Sequence, residues 1–290
     1  MRREGSESVK DVPTIRAMRP EEIPLAIDWA AKEGWNPGLA DAAGFGAVDR
    51  EGFLIAEIGG TPAAVISVVN YDQAFSFLGF YIVRPELRGR GLGFKLWQAG
   101  LAHAGARSIG LDGVVAQQAN YARQGFAFSH RNIRYRAVGA VGAAAALETT
   151  SDLRDVPFAD LAANDARVFP AARPAFLRAW LDTPGHVGRA VLRQGWLAGW
   201  GVIRPARTGF KIGPLNAEDP QAAAAVLAAL LDAAGGGEVF LDLPEPNAAA
   251  VALAGHHGFA PVFETARMYR GPVRPVALER VYGVASFELG

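Results

Sequence analysis

The sequence contains no cysteine in its 290 residues. Disulfides, thiolate metal sites and cysteine nucleophiles are therefore excluded. Its five histidines form no spaced ligand motif with acidic residues, so we expect no bound metal. The chain also lacks an apolar run long enough to cross a membrane, and its first residues lack the apolar core of a signal peptide. We therefore expect a cytoplasmic protein without a membrane partner.

The chain also has no net charge, because its 29 basic and 29 acidic residues cancel. This balance requires no strongly basic face, so we expect no nucleic-acid partner. The chain is 50% hydrophobic and 20% charged, as is normal for a soluble globular protein. Its length suits one large domain or two of ordinary size.

Apolar runs and turn residues predict alternating strands and helices in both halves of the chain. In the first half, strands are predicted at 75–83 and 109–115 with a helix at 91–104 between them. In the second half, Asp219-Pro220 is a strong helix start, since an N-cap acid is followed by proline. The Gly/Ala-rich segment Gly139–Ala146 is the predicted linker. We therefore predict one domain over residues 1–139 and another over 140–290.

The two halves share a spaced residue pattern. Each contains a Leu-Asp pair, then a Gly-Phe-Ala turn, then an arginine nine positions beyond the glycine of that turn. The pattern occurs as Leu111-Asp112, Gly125-Phe126-Ala127 and Arg134, and again as Leu241-Asp242, Gly258-Phe259-Ala260 and Arg267. The matched spacing indicates duplication of one domain, and the alternative is coincidence between two Gly-Phe turns.

The most informative segment is a glycine-rich turn between a predicted strand and a predicted helix. Val83-Arg84-Pro85 ends the strand, and Arg88-Gly89-Arg90-Gly91-Leu92-Gly93 leads into the helix. Glycine lets the backbone approach a ligand, and the free N–H groups of a helix N-terminus favour a pyrophosphate. A dinucleotide-binding loop needs Gly-x-Gly-x-x-Gly after the first strand, but here the last gap is wrong and several strands precede it. A helix start without a ligand is the other alternative.

This turn resembles the acyl-CoA signature of the GNAT superfamily, Arg/Gln-x-x-Gly-x-Gly/Ala, as Arg88-x-x-Gly91-x-Gly93. The resemblance implies that the loop amides hold the CoA pyrophosphate and that the preceding strand pairs with the pantetheine arm. Acetyl-CoA is then the expected co-substrate. The cofactor-binding residues that it implies are Tyr81, Ile82, Val83, Arg88, Gly89, Arg90, Gly91, Leu92, Gly93 and Asn120.

A second motif, Asn120-Tyr121-Ala122-Arg123-Gln124-Gly125-Phe126, resembles the GNAT segment with a tyrosine four residues before Gly-Phe. The resemblance implies that Tyr121 is the general acid that protonates the departing CoA thiolate. The alternative is a packing tyrosine beside Phe126. Because the family's asparagine usually lies further upstream, Gln117 is a second candidate for the role of Asn120.

The general base has no clear candidate. Many GNAT relatives carry an acid on the strand before the loop, but Phe80–Val83 has none. Asp72, Asp112 and Glu57 are the candidates, and a chain of water molecules is the alternative.

The turn after the first predicted helix, Glu33–Gly38, corresponds to a region that tends to line the acceptor site in GNATs. Trp35 and Asn36 are therefore expected substrate contacts, and Tyr71 and Asp72 are expected at a strand end facing the same cleft. The alternative is that Trp35 covers a core and the residues after it form an ordinary turn.

The second half departs from the cofactor pattern. After the predicted strand 210–215 comes Asn216-Ala217-Glu218-Asp219-Pro220, without a glycine loop or an arginine. Acids repel a pyrophosphate, so we predict that this copy is degenerate for CoA. We expect it to complete the acceptor cleft at the domain interface, with Arg267 and Tyr282 as candidate polar groups.

The whole chain resembles a bacterial branch of tandem GNAT proteins, including its tail Val281–Leu289. The implied fold is two tandem α/β domains, each a mixed, mostly antiparallel sheet flanked by helices. The implied reaction moves an acetyl group from acetyl-CoA to a primary amine of a small molecule or peptide, by direct attack in a ternary complex. A non-catalytic acyl-CoA sensor or interaction module is the alternative, and a nucleotide-binding enzyme is a third. The sequence leaves the acceptor, the acyl-chain length and the oligomeric state open.

Overall fold

The computed structural model describes residues 12–140 and 148–290. Most of the predicted linker Gly139–Ala146 lies outside the described residues, and the domain boundary at 139/140 stays a prediction. In neither described range is any helix both long and apolar enough to span a bilayer.

The first half alternates strands and helices, as its periodicity predicts. In chain order its elements are β1 (Thr14–Ala17), α1 (Ile23–Lys32), α2 (Asp41–Gly46), β2 (Phe53–Ile58), β3 (Thr61–Asn70), β4 (Phe75–Val83), α3 (Leu92–Ala104), β5 (Ser108–Val114), α4 (Gln118–Arg123) and β6 (Ala127–Val138).

The second half repeats this order from β7 to β12 and adds β13. Its elements are β7 (Thr150–Asp152), α5 (Phe158–Asp165), α6 (Pro174–Asp182), β8 (Val187–Arg193), β9 (Trp196–Pro205), β10 (Phe210–Ala217), α7 (Pro220–Ala233), β11 (Glu238–Pro244), α8 (Ala248–His256), β12 (Ala260–Arg270) and β13 (Val281–Gly283). The predicted start of α7 is confirmed, because the Asp219 side chain accepts a hydrogen bond from Ala222 N at 2.9 Å.

All strands join one 13-stranded sheet. Its order is β1-β2-β3-β4-β5-β12-β6-β11-β10-β9-β8-β7, and β13 pairs with β10. Among the strands of the described residues, only the pairs β4–β5 and β10–β11 are parallel. The expected mixed, mostly antiparallel pattern is therefore present, but the sheets of the two halves are continuous with each other.

The halves are joined by an exchange of strands at the middle of this sheet. The last strand of the first half, β6, pairs with β11 of the second half, and β12 of the second half pairs with β5 of the first. These two exchanged strands also pair with each other. Each half therefore completes the sheet of the other, which the repeat in the sequence does not indicate.

The repeated aspartate and arginine of the two halves pair crosswise over this exchange. Arg267 donates to both oxygens of Asp112, at 2.9 and 2.8 Å. Arg134 donates to both oxygens of Asp242, at 2.6 and 2.7 Å. In each pair the arginine is on an exchanged strand and the aspartate is directly opposite on its neighbour. Such bidentate contacts add geometric specificity to charge attraction, so they define the register of both strands.

A core shared by the halves lies on one face of the sheet, against α1, α2 and α6. Phe45 stacks on Trp180 with ring centroids 5.9 Å apart. Beside them, the fully buried Arg204 donates to Asp41 at 2.7 Å. The apolar and charged contacts of this core both cross between the halves.

The C-terminal tail, residues 281–290, runs between the halves after β13. Arg204 donates to Ala285 O at 3.2 Å, Tyr71 to Leu289 O at 2.7 Å, and Arg173 to Gly290 O at 3.0 Å. The tail also contacts β4 closely at Gly79, where a Cβ would lie 2.1 Å from the carbonyl oxygen of Glu288. Only glycine fits at that point of β4 without moving the tail.

Removing one crossed charge should destabilise the protein strongly. In Asp242→Asn, the buried Arg134 and Lys211 lose their counter-charge, so the free energy of unfolding should fall by about 3–5 kcal/mol. Glu245→Gln is the control, because it neutralises the exposed partner of Arg131 and should cost less than about 1 kcal/mol. Denaturant unfolding measures both, and equal losses would contradict the importance of the buried pair.

The same pair should make stability depend on acid pH. Burial raises the pKa of Asp242, but Arg134 and Lys211 more than offset this and hold the pKa at about 2. Because this is below the unfolded value of about 3.9, the contribution is present above about pH 4 and is lost as the pH falls through about 2. The free energy of unfolding should therefore depend less on pH in Asp242→Asn than in the wild type between about pH 5 and about pH 2, the interval that contains both pKa values. Unfolding measured across this interval tests the expectation.

Candidate active site

A cavity of about 430 Å³ lies where β4 and β5 separate. It is bounded by the glycine loop, α4 and the turn after α1 from the first half. Four residues of the second half complete its wall, two from β12 and two from the C-terminal tail. They are Phe263, Thr265, Phe287 and Glu288. The cavity therefore lies at the interface between the halves.

The cavity opens because the parallel ladder between β4 and β5 is short. The pairing runs from Phe75 opposite Ser108 to Leu78 opposite Leu111 and ends there. On the other side of β4 the register with β3 shifts, and Phe80 adopts a φ of 47°. A positive φ is strained for an aromatic residue and marks a bulge. The strained bulge therefore lies within the cavity wall.

The glycine loop after β4 forms one end of the cavity. Gly89 and Gly91 have φ values of 76° and 79°, with open space where a Cβ would point. They are therefore needed for backbone conformation, and Gly91 is the N-cap of α3. At Gly93 the need is space, because a Cβ would lie 2.5 Å from the hydroxyl of Tyr81. The first N–H groups of α3 follow directly and have no partner within the helix.

Charged side chains lie at the mouth of the cavity. Arg88 donates from Nε to Val83 O at 2.9 Å, and its guanidinium pairs with Glu33 from the end of α1. Both side chains line the cavity and are exposed to solvent. The positive charge of Arg88 is therefore close to the glycine loop.

Most of the residues predicted to bind the cofactor lie together in this cavity. Three of them do not line it. Leu92 is buried beneath the loop in the core, and Arg90 is exposed beside it. Asn120 is exposed and donates to Gln117, which does line the cavity, so the structure places Gln117 there instead of Asn120. Those that do line it are Tyr81, Ile82, Val83, Arg88, Gly89, Gly91 and Gly93.

Tyr121, the predicted general acid, lies on α4 and lines the cavity. Its ring stacks on Trp97 at 5.6 Å and contacts Phe126 at 6.5 Å. The side chain thus has both the packing contacts and the cavity position that the sequence left as alternatives. Burial raises the pKa of Tyr121, which keeps the phenol protonated at neutral pH.

The predicted base candidates have structural partners. Asp72 accepts from the backbone N–H groups of Ala74 and Phe75 at 2.7 and 2.8 Å, outside the cavity lining. Glu57 binds Arg16 at 2.8 Å, also outside it. Asp112 does line the cavity, but both of its oxygens accept hydrogen bonds from its arginine partner.

Of the predicted substrate contacts, only Trp35 lines the cavity. Asn36 instead exchanges hydrogen bonds with Thr208, donating at 3.1 Å and accepting at 2.8 Å. Tyr71 is packed among aromatic rings and bound to the C-terminal tail. With Asp72, it lies at the far end of β3, so the expectation that this strand end faces the cleft is corrected.

The second half contributes different residues from the two that were expected. Arg267 donates its hydrogen bonds to Asp112, and Tyr282 is buried in the second core. Thr265 and Phe263 reach the cavity because strand exchange brings β12 beside β5. No local sequence signal marks them, because their position depends on pairing with a distant strand.

No group of three or more His, Asp or Glu side chains in the described ranges could hold a metal ion.

Comparisons with known proteins give one consistent assignment. An acetyltransferase (GNAT) family model matches residues 19–127, and an acetyltransferase (GNAT) domain model matches residues 161–283. The holothin acyltransferase of Pseudoalteromonas sp. (strain SANK 73390) is 31% identical over 274 residues, which cover 93% of this chain and 92% of that protein.

Solved structures show the same fold at lower identity. A Pyrococcus horikoshii protein provisionally assigned as an acetyltransferase matches with a TM-score of 0.82 and 21% identity, over 100% of this chain and 99% of that chain. A tandem GNAT protein from the clavulanic acid biosynthesis pathway matches with a TM-score of 0.63 and 15% identity, over 90% and 99%. The tandem arrangement therefore occurs in both.

A methyl group at Gly113 should displace the ring of Tyr121. A Cβ at this β5 position would lie 2.6 Å from that ring, so Gly113→Ala should cost about 1–3 kcal/mol of stability. The cost should be much smaller in a Tyr121→Ala background, which removes the clash. In the control Gly255→Ala, on α8, the added methyl group points into open space and should not destabilise the protein. Chemical unfolding of the four variants measures this, and an equal cost in both backgrounds would contradict the contact.

Proposed function

The chain belongs to the GNAT family of acetyltransferases and is an acyltransferase, and from this premise we propose that it moves an acetyl group from acetyl-CoA to the primary amine of a small molecule or peptide. The observation that carries the proposal is the cavity at the separated ends of β4 and β5, which brings the glycine loop and Tyr121 together. The cytoplasmic location stays a prediction.

In this proposal the CoA pyrophosphate binds at the N-terminus of α3. Its negative charge suits the free N–H groups of the helix and the nearby guanidinium of Arg88. The pantetheine arm lies along β4 from Gly79 to Val83, where the ladder with β5 has ended. The thioester then reaches the bulge at Phe80, where backbone N–H groups stabilise the oxyanion.

The proposed reaction is direct transfer within a ternary complex. The amine attacks the thioester carbon, and Tyr121 donates its proton to the departing thiolate. The protein contributes chiefly positioning and electrostatic stabilisation, so no nucleophilic side chain is needed. This agrees with the absence of cysteine from the chain.

We propose that the second half binds no CoA. The parallel pairing of β10 with β11 ends at Ile212, as that of β4 with β5 ends at Leu78. In the second half, however, β13 pairs with β10 beyond that point, with Leu215 opposite Gly283. The chain's own tail thus occupies the edge of β10 along which a pantetheine arm would pair. One acetyl-CoA per chain is the expected stoichiometry.

Holothin is the first acceptor to test, because the related acyltransferase is named for it. The cavity wall includes three aromatic side chains outside the predicted cofactor residues, Trp35, Phe263 and Phe287. Flat aromatic or heteroaromatic amines fit such walls by stacking. The proposed acceptor is therefore an amine carried on a small planar group.

Calorimetry with acetyl-CoA tests the cofactor site. Wild type should bind one equivalent, and Gly91→Trp should abolish binding because an indole fills the approach to the helix N-terminus. Gly195→Trp is the matched control: Gly195 also has a positive φ, 86°, and open space at its Cβ position, but lies in the β8–β9 turn. Two equivalents per chain would refute the degenerate second half, and no binding to wild type would refute the proposed function.

Loss of the Tyr121 hydroxyl should slow transfer while leaving acetyl-CoA binding intact. Tyr121→Phe should lower kcat by about 10²–10⁴-fold, the usual contribution of a general acid. Tyr135→Phe removes the hydroxyl of an equally buried tyrosine in the second core and should leave kcat unchanged. CoA release measures turnover, and full activity of Tyr121→Phe would exclude the acid role.

A further inference from the structure

The C-terminal tail places one carboxylate of the second half in the cavity of the first. Glu288 lines the cavity and is 3% exposed. Its backbone oxygen abuts Gly79, immediately before the bulge at Phe80. Glu288 therefore forms part of the cavity wall beside the strand on which the proposed function places the thioester.

Among the described residues, Glu288 is the only cavity acid with a buried oxygen that lacks a hydrogen-bond partner, its Oε2. Asp112 accepts from Arg267 through both oxygens, and from Asn132 as well. Glu33 is paired with Arg88 at the exposed mouth. A buried acceptor without a donor costs free energy, so a ligand that supplies a donor there gains by binding.

Glu288 lies among other buried charged side chains. Arg134 and Lys211 both interact electrostatically with Glu288, and the Arg134 guanidinium lies 4.9 Å from the ring of Phe287. Three buried cations thus face three buried anions: Arg134, Arg204 and Lys211 against Asp41, Asp242 and Glu288. Glu288 lies within this group of charges, and its Oε2 has no hydrogen-bond partner among the described residues.

We propose that Glu288 is a catalytic residue that receives the proton of the acceptor amine; this inference rests on the proposed function. The amine nitrogen forms a bond to the thioester carbon and gives one proton to Glu288 Oε2. The C–S bond breaks, and its electron pair leaves with sulfur, which takes the proton of Tyr121. Solvent then returns a proton to Tyr121 and removes one from Glu288. The products are the amide and CoA, and no other reactant is needed.

The assignment explains why the strand Phe80–Val83 can lack an acid. In this chain an acidic residue of the tail lines the same cavity, against the same strand. A purely structural role for Glu288, as counter-charge to Arg134 and Lys211, is the competing explanation. The two differ in what a neutral isostere does to turnover.

Glu288→Gln retains the shape of the side chain and removes its basicity. With acetyl-CoA and a fixed panel of holothin and aryl and alkyl amines, kcat should fall about 100-fold or more, while the Kd for acetyl-CoA stays unchanged. Glu279→Gln makes the same substitution at an exposed position before β13 and should leave kcat unchanged.

Glu288→Ala gives a second test, because formate added to this variant should restore part of the lost kcat by acting as the missing base. Wild-type turnover that persists in Glu288→Gln, with only a lower Tm, would overturn the catalytic role and leave the structural one. Loss of kcat in Glu288→Gln without rescue of Glu288→Ala would likewise overturn it. Binding of acetyl-CoA without turnover of any amine by wild type would instead overturn the amine acceptor of the proposed function.

Discussion

The two crossed aspartate–arginine pairs in the middle of the sheet are the contacts on which the rest of the molecule depends. Each joins an exchanged strand to the other half, and each is buried, so neither can be broken without leaving an isolated charge inside the protein. Because Arg267 is opposite Asp112, β12 lies in register beside β5. That register brings Thr265 and Phe263 into the cavity of the first half. The strand pairing that joins the halves therefore also forms the wall of the cavity.

The C-terminal tail makes the duplicated halves unequal. Its first residues, Val281–Gly283, pair with β10 in the position that stays open in the first half. Its later residues cross to the first half, where Gly79 admits the backbone of Glu288. One segment therefore fills one slot and completes the wall of the other. A duplicated fold can in this way become a single asymmetric site without losing its symmetric sheet.

Sequence reasoning identified the glycine loop and Tyr121, which meet at one cavity, but only part of the rest of the cavity wall. The loop Arg88–Gly93 and Tyr121 lie at one cavity, because their motifs combine residues that are near each other in the chain. Asn36 and Tyr71 were expected there and are bound elsewhere, by Thr208 and by the tail. Exposed-looking polar residues near a predicted cleft are ambiguous in a sequence, because distant segments can supply their partners.

By itself the sequence determined the elements, the duplication and the glycine loop. Each follows from local chemistry: Asp219 caps the helix that begins at Pro220, and glycine alone adopts the positive φ at positions 89 and 91 at little cost. Only the tertiary structure decided that the halves exchange strands and that Glu288 faces Gly79. Those contacts join residues such as Asp112 and Arg267, which are 155 positions apart. Which distant strand edge pairs with which depends on the register of the whole sheet, and no short segment encodes it.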